Sequence, residues 1–326
     1  MRPPYSQTLP LRARARNALS VATHNLAIQD GAALLFHAYL LMRAFAAPDS
    51  LDAHLARGDT LALFVITAST VLLCRGEILP PGRARALVYR LGLFVPILLS
   101  YFEMRHLLPA LQVELFDERL RAIDDLLLGV TPSVWLARFD HRPTVEWLSF
   151  FYYAYFYLLS AILLPPLFLG SGRRLVELMT GAFVVAAVGH SLYTLVPGAG
   201  PYATIHFAEP IDGGFWWRQV VATVDAAGAH LDIFPSLHTA YPLFFAMHAF
   251  GHRDRGVFRY TWPFLAFFAA NIIVATMFLR WHWFADVLAG VCLAVVARQL
   301  SVAVANLEDQ RALREPRQPV WEPLFR

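Results

Sequence analysis

Apolar residues in this chain fall in runs long enough to cross a bilayer, separated by short polar connections rich in arginine. A spanning helix takes about 20 mostly apolar residues. Eight runs meet that length, at about 26–46, 60–76, 87–108, 145–169, 175–196, 234–251, 261–280 and 283–303. They predict an all-α fold, a polytopic membrane helical bundle of about eight transmembrane helices. Two polar stretches interrupt the series. Residues 111–129 place Leu111, Leu115, Ile123 and Leu127 near helical spacing among acids and arginines. This predicts an amphipathic helix, either on the membrane surface or packed on neighbouring loops. Residues 197–233 form the longest irregular stretch. It opens with Pro197-Gly198-Ala199-Gly200-Pro201-Tyr202 and contains Phe215-Trp216-Trp217-Arg218. Those aromatics suit an interfacial belt or a lid over a site.

Composition sharpens the membrane reading. Hydrophobic residues make up 57% of the 326, charged residues only 16%, and mean hydropathy is +0.48. A soluble domain carries about 25% charged residues. All 27 basic residues are arginine, so neither a Schiff-base lysine nor a phosphate-binding lysine exists. The pI near 9.0 would admit a nucleic-acid partner, but the arginines sit in loops between apolar runs, which excludes it. With the N-terminus inside, the inner connections carry Arg75, Arg83 and Arg85, then Arg173 and Arg174, then Arg253, Arg255 and Arg259. Arg311, Arg314 and Arg317 follow the last run. Each inner connection obeys the positive-inside rule, and both termini fall in the cytoplasm. Cys74 ends one apolar run and Cys292 lies within another, so neither a disulfide nor a cysteine metal site is expected. No cleavable signal-peptide pattern is evident.

Two motifs carry the candidate chemistry, Phe234-Pro235-Ser236-Leu237-His238 and Arg280-Trp281-His282-Trp283-Phe284-Ala285-Asp286. Both fall at the outer face, where ionisable groups beside lipid are functional candidates by default. Asp286 follows His282 by four residues, one face of a helix. Accepting a hydrogen bond from one imidazole nitrogen, it leaves the other free to attack. The first motif reads as a helix start with Pro235 in the first turn. The free N–H groups there suit a phosphate, Ser236 adds a hydroxyl donor, and His238 can protonate a leaving alkoxide. Other readings stand beside this one. His238, His282 and Asp286 are formally enough for a zinc site, and a polar cluster could serve a transporter, although no internal repeat is visible. Alone, His238 also reads as a packed histidine at a helix end, and His282 with Asp286 as a structural hydrogen-bonded pair. His37, His190 and His248 read as helix–helix hydrogen-bond partners. Glu103, Arg105 and His106 read as an interfacial ion pair or as lining of a substrate head-group pocket, and the RALREPRQP segment as solvated.

Ser236-Leu237-His238 followed by His282 and Asp286 resembles the type-2 phosphatidic acid phosphatase superfamily. The strings FPSLHTAYPL, ATMFLRWHWFADVLAG and YTLVPGAGPY look like its inositol phosphorylceramide synthase branch. The resemblance implies a six-helix core at 81–305, preceded by an extension, 1–80, with two spans and followed by a cytoplasmic tail, 306–326. It implies that His282 forms a phosphohistidine, that Asp286 orients it, and that His238 acts as acid and then base, with no metal and no cofactor. The implied substrate is a phospholipid or lipid phosphate, with a lipid hydroxyl or water as acceptor. The expected reaction is transfer of a phosphorylated head group such as phosphoinositol. The alternative is hydrolysis of phosphatidic acid or a prenyl pyrophosphate. The site would face the periplasm or exterior, and the arginine-only basic set points to a bacterial cell membrane. The superfamily's phosphate-holding lysine and arginine are missing here, and Ala275-Thr276 stands where its Ser-Arg pair would be. Arg280 is the first candidate to replace them, then Arg218 and Arg142, with Tyr193 and Tyr202 as hydrogen-bond donors.

Overall fold

The computed structural model describes residues 11–314, 321 and 323–325, and side chains from residue 17 onward. Among these residues all regular structure is helical. The helices are α1 (Leu11–Asn25), α2 (Ile28–Ala46), α3 (Leu51–Arg75), α4 (Arg83–Leu111), α5 (Asp117–Leu128), α6 (Pro132–Leu136), α7 (Arg142–Leu169), α8 (Gly172–Tyr193), α9 (Pro201–Thr204), α10 (Phe215–Ala227), α11 (Leu237–Gly251), α12 (Phe258–Phe278) and α13 (Phe284–Arg314).

The eight apolar runs become α2, α3, α4, α7, α8, α11, α12 and α13. Of these, α3, α4, α7, α8, α12 and α13 are long and apolar enough to cross a bilayer. The other two differ for separate reasons. Helix α2 carries Gln29, Asp30 and Arg43, which lower its hydropathy. Helix α11 has 15 residues, short of a full span. It packs against α8, α12, α13 and α7, so its neighbours stand between much of it and lipid.

Buried charge ties the N-terminal helices together. Arg75 donates to Asp30 at 2.7 Å, and the Tyr89 hydroxyl donates to the same carboxylate at 2.5 Å. Arg75, expected in a loop, is thus buried with its counter-ion. Helix α13 continues through the expected boundary at 305/306 to Arg314. Residues 312–314 of the RALREPRQP segment are exposed, and beyond it Trp321 is buried against Tyr89, with ring centroids 5.3 Å apart. Arg317 lies outside the described residues.

The first polar stretch contains the expected helix, packed on neighbouring loops, and the second is less irregular than its pattern. Helix α5 buries Asp117, Leu120 and Asp124. Its leucines 126–128 are exposed, so the acidic face turns inward. The stretch 197–233 contains α9 and α10. Glu146 caps the start of α10, accepting from the backbone N–H groups of Gly214, Trp216 and Trp217 at 2.8–3.1 Å.

Candidate active site

Three segments distant in sequence are joined by single backbone hydrogen bonds. Gly198 N–H donates to Leu231 O at 3.1 Å, Tyr202 N–H to Arg280 O at 2.8 Å, and Ser236 N–H to Asp286 O at 3.0 Å. Helix α5 holds the same segments from outside. Asp117 accepts from Ala199 N–H and Gly200 N–H at 2.8 Å and from the Trp283 indole at 2.9 Å. Asp124 accepts from Phe284 N–H at 2.8 Å and Ala285 N–H at 2.9 Å. Seven residues is close to two helical turns, so both carboxylates share one face. Burial pushes the Asp124 carboxyl up from its ordinary range, and the two N–H donors oppose that. Sequence reasoning missed both aspartates. The available signal was their heptad spacing about Leu120, which packs with Ile233, Trp283 and Ala285.

His282 lies in the turn before α13. Trp281 N–H and His282 N–H both reach back to Thr276 O, at 3.0 and 3.1 Å, while Arg280 takes a left-handed φ of 67°. Asp286 is the third residue of α13. One of its oxygens, Oδ2, accepts from Trp283 N–H at 2.9 Å and lies 3.3 Å from His282 Nδ1. The four-residue spacing therefore works through the backward reach of a carboxylate at a helix start, not through a continuous helical face. Both side chains are buried.

His238, the second residue of α11, lies among aromatic rings. Tyr152 stacks on it with centroids 4.3 Å apart, and Tyr155 lies at 4.1 Å. Its Nε2 is buried without a hydrogen-bond partner among the described residues. The His238 and His282 ring centroids are 6.0 Å apart. Ser236, expected as a phosphate donor, is instead the helix cap, its Oγ accepting from Thr239 N–H at 3.3 Å. Pro235 precedes that cap rather than lying in the first turn.

His238 and His282 open on a cavity of about 320 Å³, whose wall also includes Asp232, Tyr101, Tyr193 and Trp281. From there it runs between apolar side chains to Leu163, Met179 and Trp321. Tyr101 hydrogen-bonds Asp232, and Trp321 packs on Tyr89. These two tyrosines of α4 are twelve residues apart, about 18 Å along a helix axis. The cavity thus reaches about 18 Å along the bundle, a little over half of the ~30 Å hydrocarbon core of a bilayer.

Residues 119–300 match the family model of the PAP2 superfamily, the type-2 phosphatidic acid phosphatases. The chain belongs to the PAP2 superfamily. The match runs from α5 into α13 and includes both histidine motifs. No curated protein and no solved structure matches the chain. Membership and the long apolar helices make it an integral membrane protein of a lipid phosphatase and phosphotransferase superfamily.

The phosphate-binding candidates of this PAP2 protein separate in space. Tyr193 and Tyr202 line the cavity. Arg280 does not. It donates to Asp140 at 2.7 Å and to Glu209 O at 3.0 Å, with its guanidinium 3.9 Å from the Phe207 ring centroid. Arg142 and Arg218 are exposed and absent from the wall. Among the described residues, no arginine lines the cavity, and Asp232 is its only carboxylate. Asp232 was also missed in the sequence. Its signal was a lone acid beside the first motif, between Asp225 and Asp254.

His238, His282 and Asp286 do not converge as metal ligands. The described group that does is Glu177, His248 and His252. Glu177 there is already paired with Arg173 at 2.9 Å and Arg298 at 3.1 Å, charges that oppose a bound cation. His37 and His190 bridge helices as expected, to Thr67 at 3.4 Å and Ser100 at 2.9 Å.

Proposed function

We propose that this protein is a metal-independent lipid phosphotransferase working through a phosphohistidine at His282. One observation carries the reading. An aspartate-oriented histidine faces a second histidine across 6.0 Å at the head of a long apolar cavity. With Nδ1–H donated to Asp286, His282 Nε2 holds a lone pair directed to phosphorus. Nε2 attacks, the P–O bond to the lipid breaks, and the leaving alkoxide takes a proton from His238. An acceptor hydroxyl then returns a proton to His238 as its oxygen attacks phosphorus and the N–P bond breaks. A leaving diacylglycerol and a phosphoinositol-like group on His282 satisfy this sequence.

The apolar, aromatic wall favours a lipid hydroxyl over water as acceptor. Hydrolysis of phosphatidic acid or a prenyl pyrophosphate is the competing reading. The site opens on the outer leaflet, with both termini cytoplasmic. The test uses purified protein in detergent with EDTA and lipids labelled at phosphorus, comparing wild type with His282→Ala. The expected results are an acid-labile protein-bound label and a new phosphodiester lipid, both lost in the variant. Free phosphate without a new lipid would overturn transfer. Equal turnover in the variant would overturn the phosphohistidine.

A further inference from the structure

The cavity head has an unusual charge for a site that handles phosphate. Its described wall contains no arginine, the chain contains no lysine, and the single carboxylate, Asp232, lies among the polar groups around His282. Asp232 is placed there by backbone. Gly198 and Asp232 form a bridge, two residues before Gly200, and Ile233 packs beneath in the Trp283 cluster. Its carboxylate is hydrogen-bonded by Tyr101 and by its own backbone N–H. A carboxylate offers about four acceptor positions, so capacity remains toward the cavity. His282 and His230 are the histidines that act on it electrostatically.

Two consequences follow for a ligand. At neutral pH a phosphomonoester brings about 1.5–2 negative charges against this carboxylate and a pyrophosphate more, whereas a phosphodiester brings one. A hydroxyl on the head group can donate to Asp232, and a site built to bind a hydroxyl rejects ligands lacking it by large factors. We propose that Asp232 selects the phosphorylated substrate, anchoring a hydroxyl of a phosphodiester head group and excluding phosphomonoesters. This rests on the phosphohistidine reading for the reaction, but it concerns binding and is tested there.

The experiment measures binding to His282→Asn protein in detergent at neutral pH, following tryptophan fluorescence, since Trp281 lines the cavity. The probes are short-chain phosphatidylinositol and short-chain phosphatidic acid. With Asp232 present, the inositol lipid binds at least about tenfold tighter. Adding Asp232→Asn brings the ratio to within about threefold, with phosphatidic acid gaining affinity through loss of repulsion. Three results overturn the proposal: phosphatidic acid binding as tightly as the inositol lipid while Asp232 is present, Asp232→Asn weakening both equally, or neither lipid binding. Turnover by wild type and by His282→Asn is measured separately. If the variant turns over as wild type does, the phosphohistidine falls whatever the binding ratio.

Discussion

Asp124 offers the sharpest test of how the site is held. It is fully buried, and its two oxygens accept from Phe284 N–H and Ala285 N–H, the first two N–H groups of α13. Each such bond to a charged group contributes about 1.5–3 kcal/mol. Asp124→Ala strands both donors but also removes a carboxylate whose burial is unfavourable. The net destabilisation is about 2–4 kcal/mol. Asp124→Asn keeps one acceptor and turns an amide N–H₂ toward the other donor, costing about 1–2 kcal/mol. Because α13 starts between His282 and Asp286, its loosening misplaces the pair. A displacement of about 1 Å can cost about 10²-fold in rate. The control is Asp125→Ala next door, half-exposed, 3.8 Å from Arg121 and accepting from the Thr131 hydroxyl at 3.2 Å, which costs no more than about 1 kcal/mol. Melting in detergent and lipid turnover are measured on the three variants. The expected order of loss is Asp124→Ala, Asp124→Asn, then Asp125→Ala. Asp124→Ala melting with wild type, or losing no more turnover than Asp125→Ala, would refute the clamp.

The other predictions use the same assays. Gly290→Ala puts a Cβ 2.5 Å from Ser236 O and 2.9 Å from Thr239 Cβ, which separates α11 from α13. It costs about 1–3 kcal/mol and weakens turnover through the lost Ser236–Asp286 bond; unchanged turnover would count against that link. Arg280→Ala leaves Asp140 unpaired and lowers stability by about 2–3 kcal/mol, below the range for a fully buried pair because Asp140 is partly exposed. Lipid KM stays within about threefold; a large rise in KM with unchanged kcat would restore Arg280 as a phosphate ligand. Burial raises the Asp232 carboxyl above its ordinary 3.8, with its own N–H, His282, Tyr101 and His230 opposing, and Tyr152, Tyr155 and Tyr193 also act on it electrostatically. A raised acid stabilises the fold below 3.8 and loses that contribution as pH rises through the folded value. Asp232→Asn therefore melts higher than wild type at neutral pH, and the gap closes as pH falls toward the ordinary carboxylate range; a gap that widens in acid would reverse the sign. Trp321→Ala opens the far end of the cavity and shifts preference to longer lipid chains in a mixed-chain competition; an unchanged profile would show that the chain stops short of it.

What depends on local periodicity was legible in the chain alone. Apolar runs locate eight helices, six of them long and apolar enough to span, because a helix must hide its backbone from lipid whatever it packs against. The interval from His282 to Asp286 pairs them because a carboxylate three places into a helix reaches back over its start. A place at the end of Phe234-Pro235-Ser236-Leu237-His238, on the same predicted membrane face as the second motif, made His238 a candidate before any contact was known. Tertiary structure decided which remote group each polar side chain meets. The acids of α5 turn inward because the N–H groups of Phe284 and Ala285 lie 160 residues away in sequence but within 2.9 Å in space. Arg280 is taken by Asp140, 140 residues distant, so its nearness to His282 in sequence gave the wrong partner. Asp232 reaches the cavity through its bridge to Gly198, and Trp321 through its packing on Tyr89. Pairings over such separations leave no period in the chain, because they are set by how helices cross rather than by spacing along any one of them.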